Sequence, residues 1–162
     1  MQQRRHRETK AQSAAVAIPA TAGLGFYLRE AYRAFSKQFH ARLARHGITH
    51  AQFVLLWFLS QAGSLTPLAL SREAGIKKAS ATGVIEQLKR RKLIRGDRDR
   101  HDGRKVNLAL TPAGATLMRE LMACAAETNA DGQRSLTEEE SKTLLRLLRA
   151  VTTSFETSDG GT

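Results

Sequence analysis

Residues 106–110 alternate: Val106, Leu108 and Leu110 fall on one side of an extended chain, Asn107 and Ala109 on the other, and Thr111-Pro112 stops the run. A period of two is the mark of a strand with one buried face. The stretch before it, Arg95 to Arg104, carries seven charged residues, with Gly103 available for a positive φ. Leu93-Ile94-Arg95 offers a short partner strand. Together these predict a β-hairpin with its charges at the tip.

The rest of the chain reads as helix. Leu24, Leu28, Ala31, Phe35, Phe39 and Leu43 recur at spacings of three and four, predicting a helix from Gly23 to Arg45 that Gly47 ends. Thr49 caps a second helix over Ala51–Gln61, apolar almost all round and therefore central, and Gly63 stops it. Thr66-Pro67 places a cap before a proline at the first helical position, opening a short helix to Ala74 with Gly75 as its stop. Lys77–Lys92 follows, with Ala81, Val84, Ile85 and Leu88 on one stripe. Two short helices joined by a tight glycine turn make a helix-turn-helix. Thr111-Pro112 opens a helix toward Asn129, with Leu117, Met118, Leu121, Met122 and Ala125 facing in, and Asp131-Gly132 is expected to break it. The last helix, Ser135–Phe155, has Thr137 and Glu140 at capping-box spacing and an apolar face of Leu144, Leu145, Leu147, Leu148 and Val151.

Two strands are recognisable, so the fold class is mainly α: a winged helix-turn-helix with a two- to three-stranded β-wing and flanking long dimerisation helices. Residues 49–111 form the winged helix. Residues 23–48 and 112–156 form a helical dimerisation region, because they carry more apolar surface than one small domain needs. Residues 1–22 read as a flexible basic arm and 157–162 as a flexible tail.

Charge says what such a fold would meet. The chain has 26 Lys+Arg against 15 Asp+Glu, a formal charge of +11. Arg72 to Lys105 holds twelve basic residues against five acidic ones, while the chain after Thr111 is net acidic. A basic face confined to the middle fits docking on a polyanion better than general solubility. No apolar run of about 18 residues suggests a membrane span and no apolar core of a signal peptide follows Arg4-Arg5, so a cytoplasmic setting is expected. Cys124 is the only cysteine, which excludes an intrachain disulfide and a cysteine-based zinc site; its place deep in a helix marks a packing residue.

Other chemistries fit the charged tip poorly. A calcium loop counted from Asp97 would put His101, Asp102 and Leu108 at positions 5, 6 and 12, where it needs Asp or Asn, Gly and Glu. Asp99 and Asp102 could pair as catalytic carboxylates only in a desolvated cleft, which a hairpin tip among arginines is not. His46 and His50 are four apart, but Gly47 and Thr49 break the helix that would align them. No enzyme, metal or cofactor site is read.

The segments GITHAQFVLLWFL (47–59), KASATGVIEQLKRRKLIRG (78–96) and above all DRHDGRKVNLALTPAG (99–114) resemble the MarR family of bacterial transcription regulators. Asp99, Asp102, Arg104, Leu110, Thr111 and Gly114 follow the order of that family's wing pattern. The resemblance, over about residues 24–152, implies a homodimer formed through the first and last helices. It implies binding to a palindromic operator in double-stranded DNA, and release when a small, often aromatic, effector enters a cleft. Two departures stand out: Gly83 sits where a longer polar residue is common, and Lys92 replaces a helix-ending glycine.

A recognition helix enters the major groove N-terminus first, which makes Lys77, Lys78, Ser80 and Thr82, with Gln87 further along, the contact candidates. On the wing, Arg104 would reach the minor groove, Arg100 and Lys105 would meet phosphate, and Asp102 or Asp99 would orient Arg104. For the effector, Tyr32, Phe35, Phe39, His40, Trp57 and Phe58 could wall an apolar pocket, with Arg29 or Arg33 for the carboxylate of an aromatic acid or its thioester. The alternative for the whole chain is a winged-helix adaptor whose basic face docks an acidic protein.

Overall fold

The computed structural model describes residues 23–98 and 106–158. The elements are α1 (Leu24–Arg45), α2 (His50–Ala62), β1 (Ser64–Leu65), α3 (Pro67–Glu73), α4 (Lys78–Arg90), β2 (Ile94–Arg98), β3 (Val106–Leu110), α5 (Pro112–Gln133) and α6 (Glu138–Ser158). The chain divides into two units, residues 1–34 and 35–162, with the boundary inside α1. In the described part of the first unit, Glu30 holds Arg29 at 3.2 Å and Arg33 at 2.7 Å. Phe26 meets Tyr27 edge-on there, and the Arg29 guanidinium lies 5.3 Å from the Phe26 ring centre.

The second unit is organised around α2. Its Leu55, Leu56 and Leu59 are buried with Leu43 of α1, Leu70 of α3, Leu88 of α4, Leu108 of β3 and Leu121 of α5. Each such leucine contributes roughly 1.5–3 kcal/mol over its exposed form. The strands form an antiparallel sheet in the order β1-β3-β2, with Ser64 opposite Ala109 and Arg98 opposite Val106. Caps set the helix starts. The Thr49, Thr66 and Thr111 hydroxyls accept from the amides of Gln52, Ala69 and Gly114, and Pro67 and Pro112 follow two of these caps where no amide donor is needed.

The start of α5 is locked onto the end of the helix-turn-helix. Thr111 donates from its amide to the Leu93 carbonyl at 3.0 Å and from its hydroxyl to the Lys92 carbonyl at 2.8 Å. This brings Gly114 so close that a Cβ there would lie 2.0 Å from the Leu93 oxygen.

Several boundaries differ from the sequence reading. The sheet has three strands, within the two to three expected; the strand that the sequence reading did not locate is β1, whose two residues are too few to show alternation and which is held by β3. β2 runs on from Arg95 to Arg98 because Gly96 faces Leu108 across the ladder, where a Cβ would press on Val106 Cγ1 at 3.0 Å. α5 continues through Asp131-Gly132 to Gln133, since the Asp131 carboxylate is taken by Arg42 and Arg134 instead of capping a new turn. α6 starts at Glu138, after the cap: the Glu140 carboxylate accepts from the Thr137 amide at 2.7 Å, and Thr137 Oγ1 accepts from the Glu140 amide at 3.3 Å. Met122 is exposed while Met118 is buried, and Leu144, Leu145, Leu147 and Leu148 of α6 face solvent in the single chain.

Candidate nucleic-acid interface

α4 has two unlike sides. Ala81, Ile85 and Leu88 are buried in the core and fix the helix from behind. Lys78, Ser80, Thr82, Gly83, Glu86 and Gln87 are exposed on the other side. No acid lies in the first turn, and Lys77 stands at the cap position without a capping bond, so the helix dipole and two lysines favour an anion there. Thr82 donates its hydroxyl proton to the Lys78 carbonyl at 3.0 Å, which leaves its oxygen as an acceptor.

Not every basic residue of the middle segment serves the surface. Arg91 turns back to donate to the Gly47 carbonyl at 2.6 Å and the His46 carbonyl at 3.2 Å, capping the end of α1. Lys89 pairs with Glu86 at 3.0 Å and Arg95 with Asp97 at 3.0 Å. Gln87, read from the sequence as a contact, also binds inward: its Oε1 accepts from Nε2 of the buried Gln52 at 3.0 Å. Sequence reasoning passed over Gln52, although Thr49-x-x-Gln52 has capping-box spacing. Arg100, Asp102, Arg104, Lys105 and Asp99 lie outside the described residues. The strands on either side of them, β2 and β3, pair as a hairpin.

The residues suggested for an effector are spread over several settings. In the first unit, Arg29 and Arg33 share Glu30, and Tyr32 is exposed. In the second, Phe39 is buried, with Phe53 edge-on at 4.9 Å and Phe35 at 5.9 Å. His40 faces His50 at 5.2 Å between ring centres; burial first, and the neighbouring His40 second, hold His50 below its usual range. Trp57 and Phe58 form a further pair at 4.8 Å. A separate cavity of about 520 Å³ opens between the end of α2, the end of β3 and the first half of α5. Leu59, Leu110, Met118 and Met122 supply its apolar wall, and Ser60 and Arg119 its polar groups. None of the residues suggested from sequence lines it.

Cys124 packs with its Sγ 3.5 Å from His46 Nε2, and His46 Nδ1 lies 3.2 Å from Glu120. Among the described residues no group of three or more His, Cys, Asp or Glu could hold a metal, and no helix is long and apolar enough to cross a membrane.

The sequence pattern of the MarR family matches residues 46–105, the segment holding α2 to the wing. The transcriptional repressor NicR of Pseudomonas putida is 32% identical over 84% of this chain and 86% of its own length. The chain belongs to the MarR family. BpsR of Bordetella bronchiseptica, whose DNA binding is regulated by 6-hydroxynicotinic acid, shares its fold with a TM-score of 0.73 and 31% identity, over 83% of this chain and 96% of that one. MarR C80S of E. coli, solved with operator DNA, shares the fold at a TM-score of 0.71 and 23% identity, over 79% of this chain and 92% of its own. This MarR-family chain is therefore a DNA-binding transcription regulator of winged-helix fold, not an enzyme.

Proposed function

We propose that this MarR-family chain is a cytoplasmic homodimeric repressor. It reads a palindromic operator with α4 and the wing, and it lets go when an aromatic acid or its thioester binds. The observation that carries the reading is the polar, basic outer side of α4, presented whole while its other side is locked in the core. In this reading Lys77 and Lys78 meet phosphate, and Ser80, Thr82 and Gln87 meet base edges. On the wing, Arg104 enters the minor groove with Asp102 orienting it, and Arg100 and Lys105 hold the backbone. The dimer is supported by the row of leucines on α6, exposed in the single chain.

The α2–α5 cavity is the site best built for the effector: its volume is of ligand size, and Arg119 stands at an apolar wall to receive a carboxylate. The relative BpsR makes 6-hydroxynicotinic acid the first compound to try. Fluorescence anisotropy on the chain's own upstream DNA tests both parts. Binding should survive excess heparin, 6-hydroxynicotinic acid or another aromatic acid should reverse it, and Arg119→Ala should blunt the release. Binding to duplex no tighter than to heparin would instead support an adaptor.

A further inference from the structure

Gln52 is 5% exposed and sits where two successive hydrogen bonds settle which way two side-chain amides point. The Thr49 amide N–H lies 3.0 Å from one end of the Gln52 amide. A backbone N–H can only donate, so that end is the oxygen. The other end is then Nε2, which has only protons to give. The Gln87 atom 3.0 Å from it must accept, so it is Gln87 Oε1. The backbone cap of α2 thereby orients, through Gln52, a side chain on the exposed side of α4. Gln87 turns its oxygen inward and its NH2 outward, and that NH2 has no hydrogen-bond partner among the described residues.

We propose that Gln52 is a positioning residue that makes Gln87 a donor-only reader of the operator; this rests on the reading of α4 as the recognition helix. A free glutamine reads adenine by accepting from N6 while donating to N7. A planar amide whose oxygen faces the core cannot place both atoms on one base edge. Guanine offers two acceptors, O6 and N7, to an outward NH2, whereas adenine sets an amino group beside its single acceptor. Gln87 therefore favours guanine over adenine at the base pair it faces. Gly83, one turn earlier and with open space where a Cβ would stand, leaves Gln87 unobstructed.

The test is selection of bound duplexes from a randomised library by the full chain and three variants. The wild type should prefer guanine over adenine about tenfold at one position in each half-site, in line with about 1–3 kcal/mol for a good base contact. Gln87→Ala should erase that preference and no other. In Gln52→Glu the new carboxylate still accepts from the Thr49 amide but must accept from Gln87 as well. The Gln87 amide then turns over, its oxygen faces out, and preference moves to a base with an amino group, cytosine or adenine. Gln87→Glu, a surface change that leaves the core intact, should move preference the same way. A merely structural Gln52 would weaken all duplexes alike. Unchanged base preference in Gln87→Ala or Gln87→Glu, or a uniform loss in Gln52→Glu, overturns the proposal. A wild type that enriches no duplex overturns the function proposed above and this inference with it.

Discussion

Among the described residues, three helices end in the same hydrogen-bonded turn, and one of them has the wrong residue in it. At α1, Gly47 N–H bonds to Ala44 O and Ile48 N–H to Leu43 O; the pattern recurs at Gly75 with Ile76 and at Lys92 with Leu93. The pivot residues have φ of 63°, 62° and 55°. Glycine enters that region freely, but an L side chain there costs about 1 kcal/mol. Lys92→Gly should therefore raise stability by up to about 1 kcal/mol, read as a higher urea midpoint with unchanged slope. Gly114 is the opposite case. A methyl group there would strike the Leu93 carbonyl, a backbone atom tied to Thr111, so Gly114→Ala should destabilise by about 3 kcal/mol or more in the same assay. Gly47 and Gly75 were legible as helix stops because the signal is local. The steric need at Gly114 was not, because it arises from contact with the backbone of Leu93, 21 residues earlier and just before β2.

Elements were legible where their signal lay within one segment. The caps at Thr49, Thr66 and Thr111 and the apolar stripe of α4 could be read directly. β1 and the last turn of α5 could not, since each is held from outside, by β3 and by Arg42 of α1. That second tie has a pH signature. The hydrogen bond from Arg42, helped by Arg134, holds the Asp131 carboxyl below its usual range, and the same bond raises Arg42. A carboxyl depressed on folding contributes stability that is complete above its unfolded value, about 3.9, and is lost as pH falls toward the folded value. Asp131→Asn should lower the melting temperature at pH 7 and flatten its fall below about pH 4; equal acid sensitivity in both proteins would exclude the tie. On α4, Gly83 has open space around its missing Cβ, so Gly83→Ala should stabilise the fold by about 1 kcal/mol. Thermal melts read this, and any change in operator affinity then reports on the outward side alone.

For the whole molecule, the sequence showed surplus apolar surface on the flanking helices and placed part of it on the leucine face of the last helix. On α6 the row Leu144, Leu145, Leu147 and Leu148 is exposed in the single chain, an apolar face that a partner surface would cover. On the proposed dimer, Leu145→Glu should shift sedimentation toward monomer and weaken operator binding at least tenfold, because two half-sites are then no longer held together. The α2–α5 cavity proposed for the effector could not be read from the sequence, because the ends of α2 and β3 and the start of α5 meet only in the fold. The central claim, that the basic middle of the chain is a duplex-reading surface, meets its most direct test in operator affinity measured against salt. Each phosphate neutralised adds about −0.9 to the slope of log affinity on log salt. For a dimer bringing two copies of α4 and the wing, the account predicts a slope steeper than about −5, with preference for the operator retained over heparin. A slope near zero, or operator and heparin bound alike, would contradict it.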